Sequence, residues 1–221
     1  MKIDINKNNL LVYTNVKSFD NKEVFDNKYN KVSKHRKEKI NKEKSFLRKC
    51  ESLATELLLD YGLNLLSINK YSIDYSFQKP KLIGSDICFN FSHSKGVVAC
   101  AISKDEVGCD VERIDKANIK IAEKCFNNSE YLNIINNIEP NKTFYRYWTL
   151  KESFIKNIGC GLNIPLNEFE IILSDPISIK QKFNLKKYSF KELEVDENYS
   201  LAACTLNDMD FKIIEVDLAN I

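Results

Sequence analysis

Apolar residues recur at spacings of three and four from Phe144 onward, with Phe144, Tyr147, Trp148, Phe154, Ile155 and Ile158 sharing one face. That period predicts a helix. Lys151 lands in the middle of the face, flanked by Glu152 and Lys156 four residues apart. A cation centred on a buried stripe is costly unless an anion pairs with it. The pattern points to a pocket holding an anion, although a lysine stem can also snorkel out of such a stripe.

Other stretches read as follows. Residues 10–14 form a strand. A second helix carries an apolar face of Phe46, Leu47, Cys50, Leu53, Ala54, Leu57, Leu58 and Tyr61, stopped by Gly62. Short β-rich runs cover 87–91, 97–103 and 107–112. A short helix spans 119–126, and Ser129 caps the next, which runs to about 138. Strands return at 169–173, 177–183, 201–206 and 211–216.

Two segments echo each other. Cys50-Glu51-Ser52-Leu53 resembles Lys151-Glu152-Ser153-Phe154 at an offset of 101 residues, and 97–102 resembles 200–205 at 103. Near-equal offsets imply two similar α+β halves, 1–112 and 113–221, with the groove between them as the default site. Chance matching of short segments is the alternative.

Composition narrows the class. The chain has 221 residues, 43% of them hydrophobic, enough for one sizeable core or two small ones. A net charge of +2 argues against a general polyanion partner. The first residues lack an apolar run of signal-peptide length, and the longest apolar run, 97–102, is far short of a membrane span. Seven scattered cysteines without a CxxC pair fit a reduced compartment. With only His35 and His93, a Cys/His zinc site is not expected. A soluble cytoplasmic protein with no membrane partner is expected.

Four constellations could carry chemistry. On a strand, Asp110 and Glu112 point to one face and present two carboxylates, which repel unless a cation sits between them or one is protonated. Oxygen-only ligands suit Mg²⁺; a solvated strand end neutralised by Arg113 is the plainer reading. Glu152 with Lys156 is either a site pair or a surface i,i+4 ion pair. The turn in Phe89-Asn90-Phe91-Ser92-His93-Ser94-Lys95-Gly96 has hydroxyls, a histidine, a lysine and free amides that could cradle a phosphate. Residues 28–49 carry ten Lys/Arg against Glu38 and Glu43. That run is a solvated helix face, a nucleic-acid patch short of stacking aromatics, or a set of cations facing a nucleotide phosphate with Arg48 as the best fork.

Taken together, FNFSHSKG (89–96), GCDVE (108–112), FNNSEY (126–131) and WTLKESFIKNIGCGL (148–162) resemble the 4′-phosphopantetheinyl transferases of the surfactin-synthetase-activating type in order, spacing and length. The resemblance covers most of the chain. It implies the pseudo-twofold α+β fold of that family. It also implies transfer of 4′-phosphopantetheine from coenzyme A to a serine of an apo acyl or peptidyl carrier protein, releasing adenosine 3′,5′-bisphosphate. By the same resemblance, Asp110, Glu112 and Glu152 would bind Mg²⁺. Lys156 would contact the transferring phosphate, and Ser92 and His93 would lie on the coenzyme A phosphates. Arg48 would stand near the 3′-phosphate with Lys34, Lys37 or Lys39 in support. Lys79-Pro80 matches an adenine-side turn, with Gln78 where the family usually has glycine. Lys151 would face the substrate phosphates or bridge the halves. An internal duplication favours a monomer. Another Mg²⁺-dependent phosphate-processing enzyme, or a nucleic-acid-binding module built on 28–49, are the alternatives.

Overall fold

The computed structural model describes residues 2–19, 21–206 and 208–221. In chain order it contains β1 (Asn9–Asn15), α1 (Lys22–Tyr29), α2 (Lys34–Lys42), α3 (Phe46–Leu65), β2 (Ile73–Asp74), β3 (Lys81–Leu82), β4 (Cys88–Ser94), β5 (Val97–Ser103), β6 (Val107–Arg113), α4 (Ile119–Cys125) and α5 (Asn128–Ile135). The remainder is α6 (Pro140–Ile158), β7 (Glu170–Ile172), β8 (Ser178–Lys180), β9 (Ser189–Glu194), β10 (Tyr199–Thr205) and β11 (Phe211–Glu215). The fold is α+β, as expected.

One connectivity occurs twice. β1, α3, β4 and β5 build a sheet in the order β1-β5-β4, and β6, α6, β9 and β10 build one in the order β6-β10-β9. Each internal pairing of the two sets is antiparallel. The echo at offsets of 101 and 103 therefore marks corresponding elements, α3 with α6 and β5 with β10. A division after residue 112 cuts through β6, the opening strand of the second set. We propose that the joint lies instead at 104–106. The halves are not separable by sequence either, because β11 returns to pair parallel with β1 and cover that strand's open edge.

Alternation along β5 explains the layering, since successive side chains point to opposite faces. Val98, Cys100 and Ile102 face a core shared with Leu53, Leu57 and Leu58 of α3. Val97, Ala99 and Ala101 face the second sheet, where they meet Cys109, Val111, Leu201 and Ala203. Ala202 and Cys204 of β10 face Leu150, Phe154 and Ile155 of α6. The order of layers is helix, sheet, sheet, helix, and the small side chains between the sheets let them approach.

Local expectations were corrected in three places. Gly62 does not stop α3; it lies inside the helix, where an added Cβ would stand 2.4 Å from Ile102 Cδ1. α5 is capped by Asn127, whose N–H donates to Glu130 at 2.9 Å, while Ser129 Oγ binds Glu170. The basic run is not one face: it divides into α1, α2 and the start of α3. All seven cysteines are free thiols, and no helix among the described residues is long and apolar enough to cross a membrane.

Candidate active-site cleft

The site begins with a glycine. A Cβ on Gly108 would stand 2.1 Å from Ser153 O and 2.4 Å from Asn157 N, both backbone atoms of α6. Only glycine lets β6 and α6 come this close, and the contact sets Asp110 against the next turn of the helix. Lys156 Nζ donates to Asp110 Oδ1 at 2.7 Å and to Ser92 Oγ at 3.0 Å, while Ser92 Oγ donates to the same Asp110 oxygen at 2.8 Å. Burial alone would lower the Lys156 pKa, but Asp110, Cys109 and Glu152 outweigh it and raise it, so the ammonium stays charged.

Asp110 Oδ2 is buried without a hydrogen-bond partner among the described residues. Glu112, two residues on and on the same face, accepts from Ser94 Oγ at 2.7 Å. Glu152 completes the acidic group from α6. Burial, with repulsion from the neighbouring carboxylates, pushes both glutamates above the usual carboxylate range. These are oxygen donors of the kind a hard divalent cation takes. Among the described residues, no three such side chains stand as a ready-made metal cluster. A cation here would need further oxygens from substrate or water.

These groups sit at the floor of a cleft of about 700 Å³. Its polar lining is Ser92, His93, Asp110, Glu112, Glu152 and Lys156 with Lys124 and Asn167, and its apolar lining is Phe91, Cys125, Trp148, Ile164, Pro165 and Leu166. Glu152 and Lys156 also border a smaller pocket of about 250 Å³, shared with Gln78, Lys79 and Pro80. Lys79 donates to Glu106 and to Asn157 O, which pins its loop to the end of α6. Arg48 reaches His93 from α3, Nη1 to Nδ1 at 3.0 Å.

The remaining expected residues stand elsewhere. Lys34 is exposed at the start of α2, and Lys39 lies over the Tyr75 ring at 5.1 Å; neither lines the cleft. Lys151 does not face the cleft at all. Its side chain is 0% exposed, and Nζ lies 2.9 Å from Glu130 Oε2, 2.8 Å from Leu166 O and 2.7 Å from Phe169 O. The anion that the sequence called for is a glutamate of the protein. Its signal was present in the Asn127-to-Glu130 spacing, but a capping glutamate gives no sign that it also reaches another helix.

Fold and site together define a two-half α+β protein with an acidic, lysine-bearing cleft. Residues 106–204 match the 4′-phosphopantetheinyl transferase superfamily. The chain is 34% identical over 203 residues to the 4′-phosphopantetheinyl transferase gsp of Aneurinibacillus migulanus, covering 89% of this chain and 85% of that one. It is 35% identical over 123 residues to the 4′-phosphopantetheinyl transferase Sfp of Bacillus subtilis, covering 54% and 55%. It is 29% identical over 181 residues to the L-aminoadipate-semialdehyde dehydrogenase-phosphopantetheinyl transferase of Candida glabrata, covering 74% and 69%. The crystal structure of Thermotoga maritima holo-[acyl-carrier-protein] synthase aligns with 46% of this chain and 62% of that one, at 21% identity and a TM-score of 0.41. The chain belongs to the 4′-phosphopantetheinyl transferase superfamily.

Proposed function

We propose that this protein transfers 4′-phosphopantetheine from coenzyme A to a serine of an apo acyl or peptidyl carrier protein. The observation that carries the reading is the knot of Lys156, Asp110 and Ser92 at the cleft floor, with Glu112 and Glu152 beside it. In the reaction the serine oxygen bonds to the β-phosphorus of coenzyme A. The bond from that phosphorus to the bridging oxygen breaks, and adenosine 3′,5′-bisphosphate leaves.

Each residue has a part in this. Lys156 neutralises charge on the transferring phosphoryl oxygens. Glu152, on the helix that also carries Lys156, is placed to take the serine proton. Ser92, His93 and Arg48 meet the remaining phosphates of coenzyme A, and Lys79 and Pro80 border its adenine side. Asp110, Glu112 and Glu152 would hold Mg²⁺, which when bound supplies positive charge at the diphosphate. Asp110 Oδ2 supports this, being a buried carboxylate oxygen without a hydrogen-bond partner among the described residues. Cys109 takes no part, because burial pushes its thiol up to about 12.

Both sides of the cleft come from one chain, which supports action as a monomer, and the scattered thiols fit a cytoplasmic setting. A nucleic-acid role for 28–49 finds no support: Lys28 and Arg36 are buried against Ile221 O and Glu56, and Lys37 and Lys39 lie over tyrosine rings. The test is to incubate the protein with coenzyme A, Mg²⁺ and several apo carrier proteins and weigh the carriers. A gain of one phosphopantetheinyl mass is expected; no gain on any carrier would refute the reading.

A further inference from the structure

A second convergence of charge lies in the first half, around a residue with no place in the reaction above. Glu51 is on α3, one turn beyond Arg48, with its side chain 1% exposed. Its two oxygens have separate tasks. Oε1 accepts the Gly96 N–H at 2.7 Å. Oε2 lies 3.0 Å from Arg48 Nη1 and 3.4 Å from His93 Nδ1. His93 Nδ1 serves one of two bonds at a time, accepting from Arg48 or donating to Glu51. Either choice keeps the ring against the pair. Burial would push the Glu51 carboxyl upward, but the contacts from His93, Gly96 and Arg48 outweigh it and lower it.

A buried carboxylate is costly to retain unless its partners are needed. Both side-chain partners of Glu51 reach outward: Arg48 is 52% and His93 38% exposed. An arginine that exposed samples many rotamers unless something fixes its fork. The Gly96 bond extends the reach of Glu51 to the β4–β5 turn. Lys95 and Gly96 both have positive φ there, 42° and 101°, the geometry of a two-residue hairpin turn. On the far side of the turn, Ser94 holds Glu112, and Tyr199 Oη donates to Lys95 O at 2.7 Å. One carboxylate therefore orders an arginine, a histidine and the turn beside Ser94, which holds Glu112. Glu51 also stands where Glu152 stands in the second half, 101 residues later. The equivalent carboxylate is turned from the cleft to the arginine and histidine beside it.

We propose that Glu51 is a positioning residue for coenzyme A binding, fixing Arg48 and His93 to meet the substrate's phosphates. This rests on the transferase reading. The test is a cycle of Glu51→Gln, Arg48→Ala and the double variant. Glutamine keeps the size of Glu51 and can still accept the Gly96 N–H. Loss of a charge-assisted bond of this kind should raise KM for coenzyme A about tenfold and leave kcat within about twofold. The double variant should raise KM by less than the product of the two single effects, because part of the Glu51 effect runs through Arg48. Glu51→Asp, charged but shorter, should fall between and covers the case in which the glutamine variant does not fold. Calorimetric binding of adenosine 3′,5′-bisphosphate should weaken in parallel and needs no carrier. An unchanged KM, an equal KM rise in the Arg48→Ala background, or a fall only in kcat and melting temperature would each overturn the proposal. Failure of the native protein to modify any carrier while the bisphosphate series behaves as stated would sink the transferase reading alone. Failure of the native protein to bind the bisphosphate would sink both.

Discussion

The ammonium of Lys151 lies 2.9 Å from a carboxylate oxygen of Glu130, with neither side chain more than 1% exposed. Burial pulls the lysine pKa down and pushes the glutamate up, and their attraction opposes both. The pair joins α6 to α5, and its remaining bonds reach Leu166 O, Phe169 O and the N–H groups of Asn127 and Ile171. It is a clamp behind the cleft. Removing one partner strands the other charge, so Lys151→Ala should cost about 3–5 kcal/mol of stability. Denaturant unfolding measures this. The fraction that remains folded should keep its kcat, and a variant with full stability but no activity would return Lys151 to the chemistry.

Gly108 makes a sharper test of how the cleft is assembled. The methyl of Gly108→Ala would meet backbone atoms of α6 at 2.1 and 2.4 Å, which cannot yield as a side-chain tip can. We expect a loss of about 1–3 kcal/mol together with a large fall in transfer, since α6 carries Glu152 and Lys156. A melting curve and a transfer assay on the same preparation decide it. Normal activity in this variant would mean that the strand–helix contact is not what sets the site.

Glu152→Gln should abolish transfer and stabilise the metal-free protein at neutral pH. The folded pKa of Glu152 is raised above the ordinary 4.5, as is that of Glu112. In the window above 4.5 the unfolded chain has lost a proton that the folded chain still holds, so each group costs stability as pH rises. The melting temperature of Glu152→Gln should exceed that of the native protein at pH 7 and converge with it below about pH 4.5. Added Mg²⁺ should raise the native melting temperature more than the variant's. Equal response to Mg²⁺ would remove Glu152 from the metal set.

Lys156→Met keeps the stem of the side chain and removes its charge. On the proposed role of Lys156 at the reacting phosphate, this loss of charge should lower kcat about a hundredfold or more. KM for coenzyme A should change less, because the other phosphates keep Arg48, Ser92 and His93. A tenfold rise in KM with kcat intact would assign Lys156 to ground-state binding.

The sequence by itself determined the element types in the middle of the chain and which polar residues gather in one cleft. Apolar periods placed β5 and α6, and the blocks at 89–96, 108–112 and 148–162 named Ser92, His93, Asp110, Glu112, Glu152 and Lys156, which line one cleft. The repeat of two halves was legible too, because β5 and β10, and α3 and α6, bury alike and so read alike. β9 carries no clear strand signal, as its Ser-Phe-Lys-Glu-Leu-Glu run mixes charge with apolar positions. Only the tertiary structure decided which partner each charge takes. A period of three and four shows that Lys151 is buried, not that Glu130 waits there from another helix. It shows Glu51 as a copy of Glu152, not that it faces an arginine and a histidine. It shows lysines between 34 and 39, not that they turn away from the cleft. Periodicity reports the side of an element on which a residue lies. What lies opposite depends on long-range packing, and an ion pair is settled at distances of about 3 Å.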